Sequence, residues 1–171
     1  SLVAVALFNG IAQGSQPLIS RSYGRGEEQN VRSLLKMTLT TALGLGVLLM
    51  IFIFFSAPAV TAVFNSEHDL QLAAYADSGL RLYFIGFLFA GINIVGTAAL
   101  SAVESVKYAF CASISRGFVA TIFFAFVLSA GFKMTGIWLA FPAAEFATMF
   151  ITLSGLLCFT KQKGGMYHAK D

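Results

Sequence analysis

The chain has 171 residues, 57% hydrophobic and 11% charged, with a net charge of +3 and a mean hydropathy of +0.79. A soluble domain is about 45–50% apolar and about 25% charged, so an ordinary water-soluble fold, a disordered chain and a nucleic-acid module are all excluded. Lipid is the solvent that accommodates such an excess of apolar surface.

A membrane helix needs about 20 mostly apolar residues. Five continuous apolar stretches meet that length, over residues 2–22, 39–64, 80–103, 109–130 and 137–160. A barrel strand would instead alternate over about 10 residues. The expected fold class is therefore all-α, a polytopic helical membrane protein with about five transmembrane helices. The first stretch begins at Ser1 with no Met and no positively charged leader. That argues against a signal peptide and for a piece of a longer chain.

The first span carries Asn9, Gln13, Gln16 and Ser20. The spacing i, i+4, i+7, i+11 puts them on one helix face, beside Gly10, Gly14 and Pro17. Pro17 has no N–H, so the carbonyl of Gln13 loses its helical donor and can accept another bond. Such a stripe suits either the lining of a hydrophilic pathway or hydrogen bonding between packed helices. Gly24-Arg25-Gly26 supplies the following turn. The second span is expected to kink near Pro58, and Asn65-Ser66 closes it. The next connection is acidic, with Glu67, Asp69 and Asp77.

The third span holds Asn93 among Gly86, Gly91 and Gly96, residues that permit close helix approach. Asn93 is a candidate pathway residue, with helix packing as the plainer reading. Ser113, Ser115 and Arg116 open the fourth span, and Gly131 through Gly136 forms a tight hairpin into the fifth. In that last span Glu145, Thr148 and Thr152 share a face, and Pro142 frees the carbonyl of Trp138. Glu145 is the acidic residue deep in a span, about 12 Å from the outer end at 1.5 Å per residue. Intramembrane carboxylates of this kind belong to ion or proton paths, or else hydrogen-bond a neighbouring helix. An ion pair between Arg116 and Glu145 is not expected. Counted from the hairpin, their depths differ by about 9 Å, and Arg116 is expected to snorkel to the interface.

Cys111 and Cys158 lie in apolar stretches without metal-type spacing and read as buried free thiols. His68 and His168 fall in connections and read as solvated. No catalytic triad, phosphate-binding glycine loop or metal-ligand cluster appears, so neither an enzyme nor a metal site nor a cofactor is expected. Of the eleven Lys and Arg, nine fall on one side of the five spans: Arg21, Arg25, Arg32, Lys36, Lys107, Arg116, Lys161, Lys163 and Lys170. Arg81 and Lys133 fall on the other. The positive-inside rule then puts the N-terminus outside and the C-terminus in the cytoplasm. Trp138 and Tyr83 come to the outer interface and Tyr108 to the inner one.

Three segments resemble a known family. Residues Gly10-Ile11-Ala12-Gln13-Gly14-Ser15-Gln16-Pro17-Leu18-Ile19-Ser20, with Tyr23-Gly24, are similar to the eighth helix of multidrug and toxic compound extrusion (MATE) transporters. Ser113-Ile114-Ser115-Arg116 resembles the opening of their eleventh helix. Gly136-Ile137-Trp138-Leu139-Ala140-Phe141-Pro142-Ala143-Ala144-Glu145 resembles their twelfth. The resemblance implies a twelve-span protein with two six-helix lobes, of which residues 1–171 are the C-terminal lobe from helix eight onward, with 161–171 as a cytoplasmic tail. It implies a multi-pass protein of the inner or plasma membrane. Such a protein exports amphipathic, often cationic, small molecules in exchange for Na⁺ or H⁺ by alternating access. Its partners would be those substrates, the bilayer and the N-terminal lobe of the same chain, with no nucleic acid and no cofactor beyond the coupling ion. Some branches carry an acidic cation ligand in the tenth helix, where this chain offers Asn93. The competing readings are a lipid-linked oligosaccharide flippase of the same wider superfamily and a channel or scaffold. Under the transporter reading the pathway residues are Asn9, Gln13, Gln16, Asn93 and Glu145, with Pro17 and Pro142 distorting their helices.

Overall fold

The computed structural model describes residues 2–64 and 70–167, with side chains at 2–63 and 75–160. The described chain is all α. It runs through α1 (Leu2–Gly24), α2 (Glu28–Phe64), α3 (Leu70–Ala102) and α4 (Val106–Ile114). A π-helical turn (Ser115–Val119) then leads into α5 (Ala120–Tyr167). His68, His168, Glu67 and Asp69 lie outside the described residues, as do residues 168–171 of the proposed tail, whose first part, 161–167, continues the last helix. Asp77, expected in the acidic connection, sits inside α3 and pairs with Arg81 at 3.1 Å.

Four helical runs are long and apolar enough to cross a membrane: Leu2–Gly24, Glu28–Val63, Tyr75–Ala102 and Val106–Thr160. Four runs are counted where five spans were expected, because nothing but Lys133, at φ 51° and ψ −124°, leaves helical geometry between the last two predicted spans, which therefore form one run. A straight run of those 55 residues would be about 80 Å long, about twice the full bilayer thickness. It is not straight. A Cβ on Gly136 would collide with the main-chain carbonyl of Leu128, and Ser115 Oγ lies 3.2 Å from Thr148 Oγ1. Those contacts require the chain to double back at Lys133, dividing α5 into a first arm (120–132) and a second (134–167).

α3 is the axis of the assembly. Its apolar stretch is 61% buried, against 11–22% for the other three runs. Its small residues explain how neighbours come so close. A Cβ on Gly79 would strike the Trp138 ring, one on Gly86 would sit 2.6 Å from the Phe141 ring, and one on Gly96 would strike the Thr152 methyl. These contacts advance together along both helices, so α3 and the second arm of α5 run parallel. On its other side Gly91 receives Phe8 of α1, and Phe8 stacks on Phe87 at 6.5 Å. One cluster of buried residues, including Ala4, Phe8, Phe84 and Phe87, joins α1, α2 and α3. A second, including Ile19, Val31, Leu35, Leu100 and Val103, closes the opposite end of the bundle.

Pro17, Pro58 and Pro142 all lie within continuing helices. Cys111 and Cys158 are free, as expected, but exposed and not buried. Helix periodicity does not report the buried face of a helix whose outer solvent is as apolar as its core.

Two helix ends use the same hydrogen-bond pattern with different residues. At the end of α1, Glu27 N–H donates to Ser22 O and Gly26 N–H to Tyr23 O, both at 3.0 Å, and Gly26 has φ 73°. At the end of α3, Ser105 N–H donates to Leu100 O at 2.9 Å and Glu104 N–H to Ser101 O at 3.2 Å, with Glu104 at φ 59°. This is the Schellman arrangement, whose left-handed residue is normally Gly. A side chain there costs about 1–2 kcal/mol. Glu104→Gly is therefore expected to stabilise the protein by about 1 kcal/mol, and Gly26→Ala to destabilise it by about as much. Thermal unfolding in detergent checks both signs.

Candidate functional site: a buried polar joint

Where α3, the π-helical turn and the second arm of α5 meet, the apolar interior is interrupted by one connected set of polar groups. Asn93 is fully buried in the C-terminal half of α3, and Glu145, Thr148 and Thr152 on α5 are 3%, 0% and 0% exposed. The Asn93 amide N–H₂ donates to the carboxylate Oε2 of Glu145 and to its main-chain oxygen, both at 2.8 Å. Asn93 Oδ1 accepts from the Thr152 hydroxyl at 3.0 Å. This amide orientation is the one the surroundings demand, since a flipped Asn93 would face oxygen with oxygen. The Thr148 hydroxyl meets that of Ser115 at 3.2 Å. Each polar group buried here has a partner, as burial without water requires.

Arg116 completes the set. Its Nε lies 3.2 Å from Glu145 Oε1, so the expectation that Arg116 and Glu145 stay apart is overturned. The error lay in the hairpin register. Ser115 opposite Thr148 and Gly136 opposite Leu128 centre the fold-back near residue 132. The two α-carbons are then offset in depth by about 4 Å, not 9 Å, and the long arginine stem spans the difference. The backbone helps, because Arg116 sits in the π-helical turn. There its carbonyl accepts from the Thr121 hydroxyl at 2.7 Å, five residues on.

Asn93 and Glu145 are thus brought together. Asn9, Gln13 and Gln16 are not brought to them. α1 turns Ala4, Phe8, Ala12 and Ile19 inward, which leaves Asn9 and Gln13 exposed and Gln16 half-buried on the face away from α3. A Cβ on Gly10 or Gly14 of that face would meet nothing within 4 Å. Within the described chain the stripe is an open polar face. Pro17 is exposed beside it. Pro142 is buried against α3, its Cα 3.1 Å from where a Gly86 Cβ would stand. Sequence reasoning put Thr148 and Thr152 on the Glu145 face without including them in the site. Ser115 and Arg116 were missed as its members because their place depends on the hairpin register.

Comparison with known proteins identifies the family. The MatE family model matches residues 1–127. The chain belongs to the MatE family. That family is one of transporters and not of enzymes, and membership together with the four long apolar helical runs makes the chain a multi-pass membrane protein. Its fold is similar to that of an inward-facing multidrug resistance MATE family transporter of the MOP superfamily, at a TM-score of 0.86 and 16% identity. An outward-facing transporter of the same description gives 0.84 and 15%, and a MATE in complex with MaL6 gives 0.83 and 15%. Each likeness covers 95% of this chain but 37–38% of the solved one. The MatE chain thus spans well under half the length of the transporters it resembles. A comparison with curated proteins finds no match.

Proposed function

We infer that this MatE chain forms part of the C-terminal lobe of a secondary active antiporter. The whole protein exports amphipathic, often cationic, compounds in exchange for Na⁺ or H⁺, by rocking its lobes between inward- and outward-open states. The observation that carries the reading is a carboxylate, Glu145, 3% exposed within the apolar second arm of α5 in a MatE chain. Intramembrane carboxylates of this kind mark ion or substrate paths. In this reading Asn93 and Glu145 belong to the coupling side, while Asn9, Gln13 and Gln16 line the cavity between this lobe and the other lobe of the whole protein.

The fold-back at Lys133 supports five membrane crossings from the four helical runs. The Lys and Arg distribution supports a cytoplasmic C-terminus in the inner or plasma membrane. The flippase reading receives less support, since Arg116, the basic residue nearest the polar joint, is already paired with Glu145.

The test is transport by the full-length protein in proteoliposomes, with ethidium as the cationic probe and a proton or a sodium gradient applied separately. Gradient-driven ethidium movement is expected, with Gln13→Ala lowering the rate several-fold at equal expression. Ion current without coupled dye movement would point to a channel. No dye movement alongside translocation of a lipid-linked oligosaccharide would replace the exporter by the flippase.

A further inference from the structure

The polar joint also discriminates between coupling ions. A sodium ion is held by several oxygens whose lone pairs converge on it, as hard cations generally are. Here the lone pairs are turned to donors. Glu145 Oε1 faces the Arg116 guanidinium at 3.2 Å, and Oε2 and the main-chain oxygen face the Asn93 amide N–H₂ at 2.8 Å. Asn93 Oδ1 is taken by Thr152 and the Thr148 hydroxyl is engaged with Ser115. A metal ion beside the carboxylate would meet a full positive charge and the positive end of an amide. A proton needs one oxygen and no shell.

Three further features suit proton exchange. The Arg116 side chain is 32% exposed while that of Glu145 is 4% exposed, so the arginine side offers a route to the carboxylate. Arg116 stands in a π-helical turn, a backbone form that carries one residue beyond α-register and often occurs at functional sites. Beside it a Cβ on Gly117 would meet nothing within 4 Å, which leaves room for the turn to rewind. Among the described residues the charged surroundings are otherwise bare. α3 presents neutral Asn93, and the π turn presents Arg116 and Ser115. Lys107 of α4 lies about 13 Å back along the helix axis.

We propose that Glu145 exchanges its partner Arg116 for a proton during the cycle, and that this joint does not take sodium. The proton binds Glu145 Oε1 and the contact with Arg116 Nε breaks. Asn93 stays on Oε2 and the main-chain oxygen, held by Thr152. The joint passes from a neutral ion pair to a net charge of +1, with the guanidinium free to leave. Its role in transport rests on the antiporter reading above, whereas the exchange itself is measurable without transport.

The test is infrared difference spectroscopy of the full-length protein in lipid, stepped from alkaline to acidic pH in sodium chloride or in choline chloride. A protonated-carboxyl C=O band should grow on acidification. It should be absent in Glu145→Gln, displaced in frequency in Glu145→Asp, and share one midpoint in both salts. Glu145→Asp retains a titratable group, so it decides the matter if Glu145→Gln fails to fold. Wild-type spectra without a Glu145-dependent band that responds to pH would overturn the exchange. A midpoint displaced by roughly tenfold in proton concentration by sodium would overturn the selectivity, because sodium would then compete for the carboxylate. A normal band in a protein that moves no dye would reject the antiporter reading and leave the chemistry standing.

Discussion

Replacing Arg116 with Met is expected to cost the full-length protein about 2–4 kcal/mol. Breaking one side of a buried ion pair leaves a charge uncompensated in a low-dielectric site, at about 3–5 kcal/mol when both partners are buried. The partial exposure of Arg116 trims that figure. The physical claim is that the loss comes from the stranded carboxylate and not from lost packing. Adding Glu145→Gln to Arg116→Met removes the charge, and Asn93 can still donate to the amide oxygen. The double variant should therefore recover most of the stability, with a coupling energy of about 2 kcal/mol in the cycle. The Met variant should also recover in acid, where a protonated Glu145 needs no counter-charge. Thermal unfolding in detergent at two pH values measures both. Equal losses in the single and double variants would mean that Arg116 acts through its stem.

The second large effect is expected at the seam between α3 and α5. A Cβ on Gly96 would collide with the methyl group of Thr152 and stand 3.6 Å from Leu156 Cδ1. Thr152 is fully buried and cannot swing out. Gly96→Ala must part the helices or push Thr152 off Asn93, breaking the 3.0 Å bond that orients the amide. Overpacking costs about 1–3 kcal/mol, and a lost internal hydrogen bond about 1 kcal/mol more. Gly44 is the matched control, since a Cβ there would meet nothing within 4 Å. Gly44→Ala should gain up to about 1 kcal/mol from helix propensity alone. Opposite signs from one chemical change on two helices would locate the effect in packing.

Particular residues show what the sequence could convey. Long uninterrupted apolar runs announce membrane helices because the bilayer sets their length. The spacing of Glu145, Thr148 and Thr152 announces a shared face because it follows helix geometry alone. The Arg116–Glu145 pair was illegible for a different reason. Hydropathy marks where an apolar run ends, and here helical structure continues to Phe132 and resumes at Met134. A few residues of turn length decide whether two side chains meet or miss. The inward face of α1 was equally hidden, because Phe8 and Leu7 are both apolar although one is buried and the other exposed. In water that difference would leave a pattern, and in lipid it does not.

The most direct test of the account is proton-driven ethidium transport by full-length wild type and Glu145→Gln, reconstituted at equal density and orientation. If the polar joint couples the ion to transport, Glu145→Gln abolishes gradient-driven accumulation, while dye binding to the solubilised protein persists. Undiminished transport in that variant would contradict the account, returning Glu145 to helix packing and placing the coupling group elsewhere in the transporter.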